Sequence, residues 1–203
     1  MDAKTVLRQQ FFAQRRQLGA VQRERQSTQL CRLLLDWYLG LADVQPVIGK
    51  VAMTIQFGTE PDTDPLMHAL VGEGVEVWVP ISHADRSMSW TRWFPDVALE
   101  RSGLGPILEP IGQRFGPEVL ADADVIVVPA LVADSAGFRL GKGGGYYDRL
   151  LEVLPSLSVS VPWLVTPVFD HEFVDAQQQV FPVDDHDLPV HGVVTAATGF
   201  YWV

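Results

Sequence analysis

Residues 122–154 read DADVIVVPALVADSAGFRLGKGGGYYDRLLEVL and carry the strongest signal in the chain. The stretch 122–130 is a continuous apolar run closed by Pro129, the pattern of a central strand buried on both faces. Beyond its carboxyl end a glycine-rich loop leads into a helix expected from about Tyr146 to Leu154. In open α/β sheets, ligands bind at that end of the strands. Gly141, Gly143, Gly144 and Gly145 fall within five positions and leave backbone N–H groups open to close approach. The start of the following helix favours an anion, and Arg139 and Lys142 add full positive charges. A Walker A loop does not fit, because Gly137 and Gly141 enclose three residues and Gly143 follows the lysine. A dinucleotide fingerprint fails at Tyr146. The glycines alone also suit a long turn with positive φ angles. The basic residues inside the loop and the Tyr-Tyr-Asp after it favour a phosphate site.

Working outward, residues 3–18 form a helical pattern without internal Gly or Pro, ended by Gly19. At about 100° per residue, Lys4, Arg8 and Arg15 share one face of it. A second helix is expected over 22–39, where Leu30, Leu33, Leu34, Trp37 and Tyr38 make a core-facing stripe with Cys31 as a small buried filler beside it. Strands are expected at 47–55 and 75–81, separated by a loop and a helix over 64–73. Residues 87–94 alternate like an antiparallel strand, 95–118 are rich in Gly and Pro and expected as loop, and late strands are expected at 161–168 and 191–197. Alternating strands and helices imply an α/β fold: a mostly parallel sheet covered by helices on both faces, three layers in all, with an N-terminal helical pair. No internal repeat or linker divides the chain, so residues 1–203 are expected to form one domain.

Composition narrows the function. The chain is 47% hydrophobic and 20% charged, the balance of a globular protein rather than a disordered one. Its apolar runs fall short of the roughly 18 residues of a membrane helix. One cysteine excludes an internal disulfide and a cysteine-based zinc cluster, and the five histidines lack metal-site spacing. With no signal-peptide pattern, a cytoplasmic protein is expected. The net charge of −10 argues against general nucleic-acid binding. Yet residues 1–36 hold seven basic and three acidic side chains, net +4, against eight and 22 in the remainder, net −14. Either the basic segment docks on an acidic body, or its helix helps to build an anion site.

The string RLGKGGGYYDRLL (139–151), after a VPA strand end and the D-x-x-G of Asp134 to Gly137, resembles the signature of 5-formyltetrahydrofolate cyclo-ligases. The resemblance extends along nearly the whole chain: Lys4 to Arg8 as K-x-x-L-R, Glu60 to Thr63, Val79-Pro80, Glu109-Pro110, His186-Asp187 and Val193 to Thr195. Two positions depart from the pattern. Ala133 stands where the family usually has Phe, which would widen one pocket wall, and Lys142 stands at a position often aromatic.

The resemblance implies an ATP- and Mg²⁺-dependent conversion of 5-formyltetrahydrofolate to 5,10-methenyltetrahydrofolate, with release of ADP and phosphate. It implies that Lys4, Arg8 and the run Arg139, Leu140, Gly141, Lys142, Gly143, Gly144, Gly145, Tyr146 and Tyr147 hold the nucleotide. Lys142 and Arg139 would serve the transferring phosphate, Ile55, Glu60 and Tyr146 the folate, and Asp148 and Asp187 the metal. The residues themselves leave plainer alternatives: a solvated basic face for Lys4 and Arg8, a helix-dipole contact for Asp148, a loop charge for Glu60 and Asp187, and core packing for the two tyrosines. The expected partner is a small-molecule folate, with neither nucleic acid nor membrane, and the chain is expected to act as a monomer. A binding protein without turnover, or a small-molecule kinase on the same scaffold, are the competing readings.

Overall fold

The computed structural model describes residues 2–105, 107–157, 161–178, 181–184 and 187–203. Its centre is held by one buried carboxylate. Asp124 accepts hydrogen bonds from the Tyr38 hydroxyl at 3.0 Å and from the backbone N–H groups of Ile48 (2.7 Å), Gly49 (2.8 Å) and Lys50 (2.9 Å). These bonds tie β1 (Lys50–Ala52) to β6 (Val125–Val127), the middle strand of a seven-stranded sheet. They also explain why β1 begins later than the expected residue 47: the N–H groups that open the segment are spent on a side chain.

The other strands of this sheet are β2 (Glu76–Ser82), β3 (Met88–Trp93), β9 (Trp163–Pro167), β11 (Gly192–Thr195) and β12 (Gly199–Trp202). Their order is β12-β11-β9-β6-β1-β2-β3, parallel in the middle and antiparallel at both edges. Successive side chains alternate between faces. Val51, Val77, Val125, Val165 and Val194 meet α2 (Ala20–Leu41) and α3 (Asp64–Gly72), while Ala52, Trp78, Ile126, Leu164 and Val193 meet α4 (Tyr146–Leu157). The expected three layers are therefore present. The stripe of α2 is buried at Leu30, Leu34, Tyr38 and Leu41 and half-buried at Leu33 and Trp37. Each fully buried Leu on it contributes about 1.5–3 kcal/mol relative to exposure.

The two N-terminal helices serve different layers. α1 (Ala3–Gln17) places Leu7 and Phe11 against Leu131, Val132 and Leu140, on a small sheet of β10 (Phe173–Val174), β7 (Val132–Asp134) and β8 (Arg139–Leu140). This small sheet revises the expected loop. Arg139 and Leu140 lie on a strand, and the loop proper begins at Gly141. The turn between β7 and β8 accounts for the D-x-x-G motif. Asp134 Oδ1 accepts the N–H groups of Ala136 and Phe138, and Gly137 at φ +82° has the Val190 carbonyl 2.7 Å from where a Cβ would stand. Only glycine fits there.

The segment 95–118 also departs from its expected loop. It contains a hairpin of β4 (Leu99–Arg101) and β5 (Leu108–Pro110), followed by a single 3-10 turn at Pro117–Leu120. Its strands have only three residues each, too few to display an alternation that a reader of the sequence could recognise.

Candidate active site

A cleft of 490 Å³ opens beside the carboxyl ends of β1 and β6, where the parallel strands run out. Every residue singled out in the sequence for a site lines it: Lys4, Arg8, Ile55, Glu60, Arg139, Leu140, Gly141, Lys142, Gly143, Gly144, Gly145, Tyr146, Tyr147, Asp148 and Asp187. His186 lies outside the described residues. Ala133 is not a wall of the cleft. It is fully buried in the core that packs against α4.

The cationic part is built by α1, β8 and the first turn of α4. Lys4 Nζ lies 2.6 Å from both Asp184 and Asp187, and Asp187 also accepts the N–H of Asp184 at 2.8 Å. Burial pulls the Lys4 ammonium down, but the two carboxylates outweigh it and hold its pKa above the ordinary lysine value. Arg8 Nε donates to the Gly141 carbonyl at 3.0 Å, joining α1 to the glycine loop. Gly143, at φ +103°, turns its open side toward the Arg8 guanidinium. The Arg139 side chain, only 3% exposed, reaches Asp148 Oδ1 at 2.8 Å and the Leu188 carbonyl at 3.1 Å. Burial lowers its pKa, and the charges of Asp148 and Asp187 work against that shift. Both carboxylates therefore lie within electrostatic reach of the same guanidinium.

The opposite part is apolar and carboxylate-bearing. Ile55, Phe57, Pro80, Met88, Ile107 and Leu108 surround Glu60 and Glu109. Glu60 Oε2 accepts the N–H of Phe57 at 2.9 Å, and Oε1 pairs with Lys142 Nζ at 2.8 Å. Lys142 also stands over the Phe57 ring, 4.9 Å from its centroid. Glu60 is thus no bare loop charge: it fixes a local turn and receives the loop lysine. Tyr146 donates to the His83 carbonyl at 3.0 Å. The Tyr147 hydroxyl is buried without a hydrogen-bond partner among the described residues, and burial raises its pKa, with the Glu60 charge adding to the shift.

The sequence reading overlooked Phe57, Ser82, Met88, Ile107, Leu108 and Asp184 as cleft residues, and it treated Glu109 only as a landmark beside Pro110. No periodic signal marks them, because they come from strand ends, from irregular segments and from the hairpin beside the cleft. Trp90 is fully buried in the core and lies away from the lining.

Asp148 and Asp187 suit a hard divalent cation. Both offer carboxylate oxygens to one cleft, and Mg²⁺ is commonly held by one or two carboxylates together with substrate phosphates. No cluster of three or more acidic, His or Cys side chains poised for a metal occurs among the described residues, so phosphate oxygens and water would complete such a site. No helix among the described residues is long and apolar enough to cross a membrane.

Comparison with known proteins concerns the chain as a whole. Residues 1–196 match the model of the 5-formyltetrahydrofolate cyclo-ligase family. A 5-formyltetrahydrofolate cyclo-ligase of Mycolicibacterium smegmatis is 29% identical, covering 97% of this chain and 95% of that one. One of Escherichia coli K12 is 30% identical over 75% of this chain and 80% of that protein. The solved 5,10-methenyltetrahydrofolate synthetase of Aquifex aeolicus superposes with a TM-score of 0.73 at 28% identity, covering 99% of this chain and 93% of that one. A synthetase structure from Mycoplasma pneumoniae shares the fold at a TM-score of 0.73 and 17% identity, over 96% of this chain and 99% of that one.

Proposed function

The chain belongs to the 5-formyltetrahydrofolate cyclo-ligase family, and from that premise we propose that it closes the ring of 5-formyltetrahydrofolate to give 5,10-methenyltetrahydrofolate, using ATP and Mg²⁺ and releasing ADP and phosphate. What supports this reading is one observation: a single cleft has a cationic part and an apolar, carboxylate-bearing part, bridged by the loop lysine Lys142.

The chemistry requires both parts. The N5-formyl group is an amide, and its oxygen is a poor leaving group. Transfer of the γ-phosphoryl group to that oxygen makes it one. N10 then attacks the formyl carbon, the N10 proton is lost, and the carbon–oxygen bond breaks with departure of phosphate. A protein serving this sequence mainly positions the reactants and stabilises charge on the moving phosphoryl group. Lys4, Arg8 and Arg139 would hold the phosphates, with the N–H groups of Gly143 to Gly145 approaching them closely. Mg²⁺, when bound, would neutralise phosphate charge, and Asp148 and Asp187 are the residues that would hold it. Ile55 and Tyr146 would flank the pterin, and Glu60 would accept its N–H groups. As those donors take Glu60, Lys142 is released toward the transferring phosphate.

The test is to mix purified protein with 5-formyltetrahydrofolate, Mg²⁺ and ATP and to follow methenyltetrahydrofolate by near-ultraviolet absorbance. The absorbance is expected to grow only with ATP, and Asp148→Ala is expected to abolish the growth. Lys142→Ala is expected to lower turnover about a hundredfold, the effect of removing one charge aimed at a transition state. Nucleotide binding without any growth would discard the folate reading.

A further inference from the structure

Resting on the reading just given, we infer that Glu109 is a further substrate-binding residue, whose Oε1 accepts a hydrogen bond from an N–H donor of the reduced folate. Glu109 is carried by β5, on the hairpin beside the apolar part of the cleft. Its side chain is only 9% exposed, yet Oε1 is buried with no hydrogen-bond partner among the described residues. The cation nearest its other oxygen, Arg114, stands off at 3.9 Å and is engaged at 3.3 Å by Glu100, the residue opposite Glu109 in the hairpin.

A buried carboxylate oxygen without a donor is costly to keep, and native structures rarely keep one without a use. Glu60 supplies the contrast within the same cleft. Both of its oxygens are occupied, one by Phe57 and one by Lys142. Glu109 Oε1 is the carboxylate oxygen that has no donor among the described residues before a ligand enters the cleft. Its strand neighbours define that ligand further: Ile107 and Leu108 also line the cleft, and Leu108 leaves 47% of its surface exposed. An apolar shelf beside a lone acceptor fits a flat aromatic group that carries an N–H, as the pterin and aminobenzoyl groups of folate do. It does not fit phosphate, which a carboxylate repels.

The experiment compares wild type with Glu109→Met, which keeps the shape and removes the acceptor, and with Glu109→Gln, which keeps a carbonyl acceptor. In Glu109→Met, the KM for 5-formyltetrahydrofolate is expected to rise about tenfold or more, with the KM for ATP within about twofold of wild type. Thermal stability is expected to stay close to wild type, since the substitution gives up only the 3.9 Å ion pair with Arg114 and leaves no unmatched buried acceptor. Glu109→Gln is expected to fall between the two in folate KM. An unchanged folate KM in the Met variant overturns the inference. So does a joint rise of both KM values with a lowered Tm, which marks a structural role, or a Gln variant no better than Met. Absence of turnover in the wild type instead overturns the functional reading, and this inference with it.

Discussion

The two ends of α1 present the same kinds of side chain on the same helical face and put them to opposite uses. Lys4 and Arg8, near the start, line the cleft and keep partial access to solvent. Arg15, in the last turn, is fully buried. Its guanidinium pairs with the equally buried Glu172, with Nη2 2.7 Å from Oε2, and also donates to the Ala130 carbonyl at 3.0 Å. The basic segment therefore does both things its charge allows. One end docks the helix onto the acidic body, and the other end lines the cleft, where on the proposed function it serves an anion site. Charge and periodicity are the same at both ends; burial and the reach of partners separate them.

The most forceful way to break this comparison is to remove the docking charge. Arg15→Met leaves Glu172 buried without its guanidinium, with the Phe169 N–H and the His171 ring still beside it, and loss of one partner of a buried pair costs about 3–5 kcal/mol. Urea unfolding is expected to show a loss of that size. The double variant Arg15→Met with Glu172→Leu is expected to recover much of it, because no uncompensated charge remains. An Arg15→Met protein as stable as wild type would show that the buried end does not hold α1 in place.

At the other end the expected pattern is inverted. Arg8→Ala loses the contact to the Gly141 carbonyl and, on the proposed function, a charge facing phosphate. Its kcat/KM for ATP is expected to fall about a hundredfold. Lys4→Ala is expected to cost about tenfold, since Asp184 and Asp187 already share that ammonium. Both variants are expected to stay within about 1 kcal/mol of wild-type stability, the scale of partly exposed ion pairs. Steady-state kinetics beside urea titrations separates the two ends. If Arg8→Ala destabilised the fold as much as Arg15→Met, the distinction would collapse.

The same contrast shows what could be read from sequence and what could not. The buried strand at 125–127, the stripe of α2 and the glycine loop are local patterns, and they mark the layers and the cleft. Lys4, Arg8 and Arg15 are equally local in pattern, and their different fates depend on Glu172 and Asp187, more than 150 positions away. Strand β8 was missed because Arg139 and Leu140 are extended only by pairing with Ala133 and Val132. The β4–β5 hairpin was missed for the same reason, and Glu109 with it. A buried acceptor without a donor is a property of packing, which no run of letters displays. Strand β12, at residues 199–202, depends on its antiparallel pairing with β11.

A third position, remote in kind from either end of α1, sharpens the rule that burial rather than charge count decides what an ionisable group does. His191 enters β11 beneath the Trp163 ring, 5.6 Å between centroids, and its Nδ1 accepts the backbone N–H of Leu164 at 2.9 Å. Burial lowers its pKa below the ordinary histidine value of 6.5. The folded protein thus favours the neutral ring, and the stability this contributes is complete above the unfolded value. It is lost as pH falls through the lowered folded value, when a proton on Nδ1 would displace the hydrogen bond from Leu164. Urea midpoints taken between about pH 7 and about pH 5 are expected to decline in wild type and to decline less steeply in His191→Gln, which keeps an acceptor and does not titrate. The effect is the smallest of those expected here, because a single half-buried ring carries it. Equal slopes in the two proteins would show that this ring does not carry the acid sensitivity.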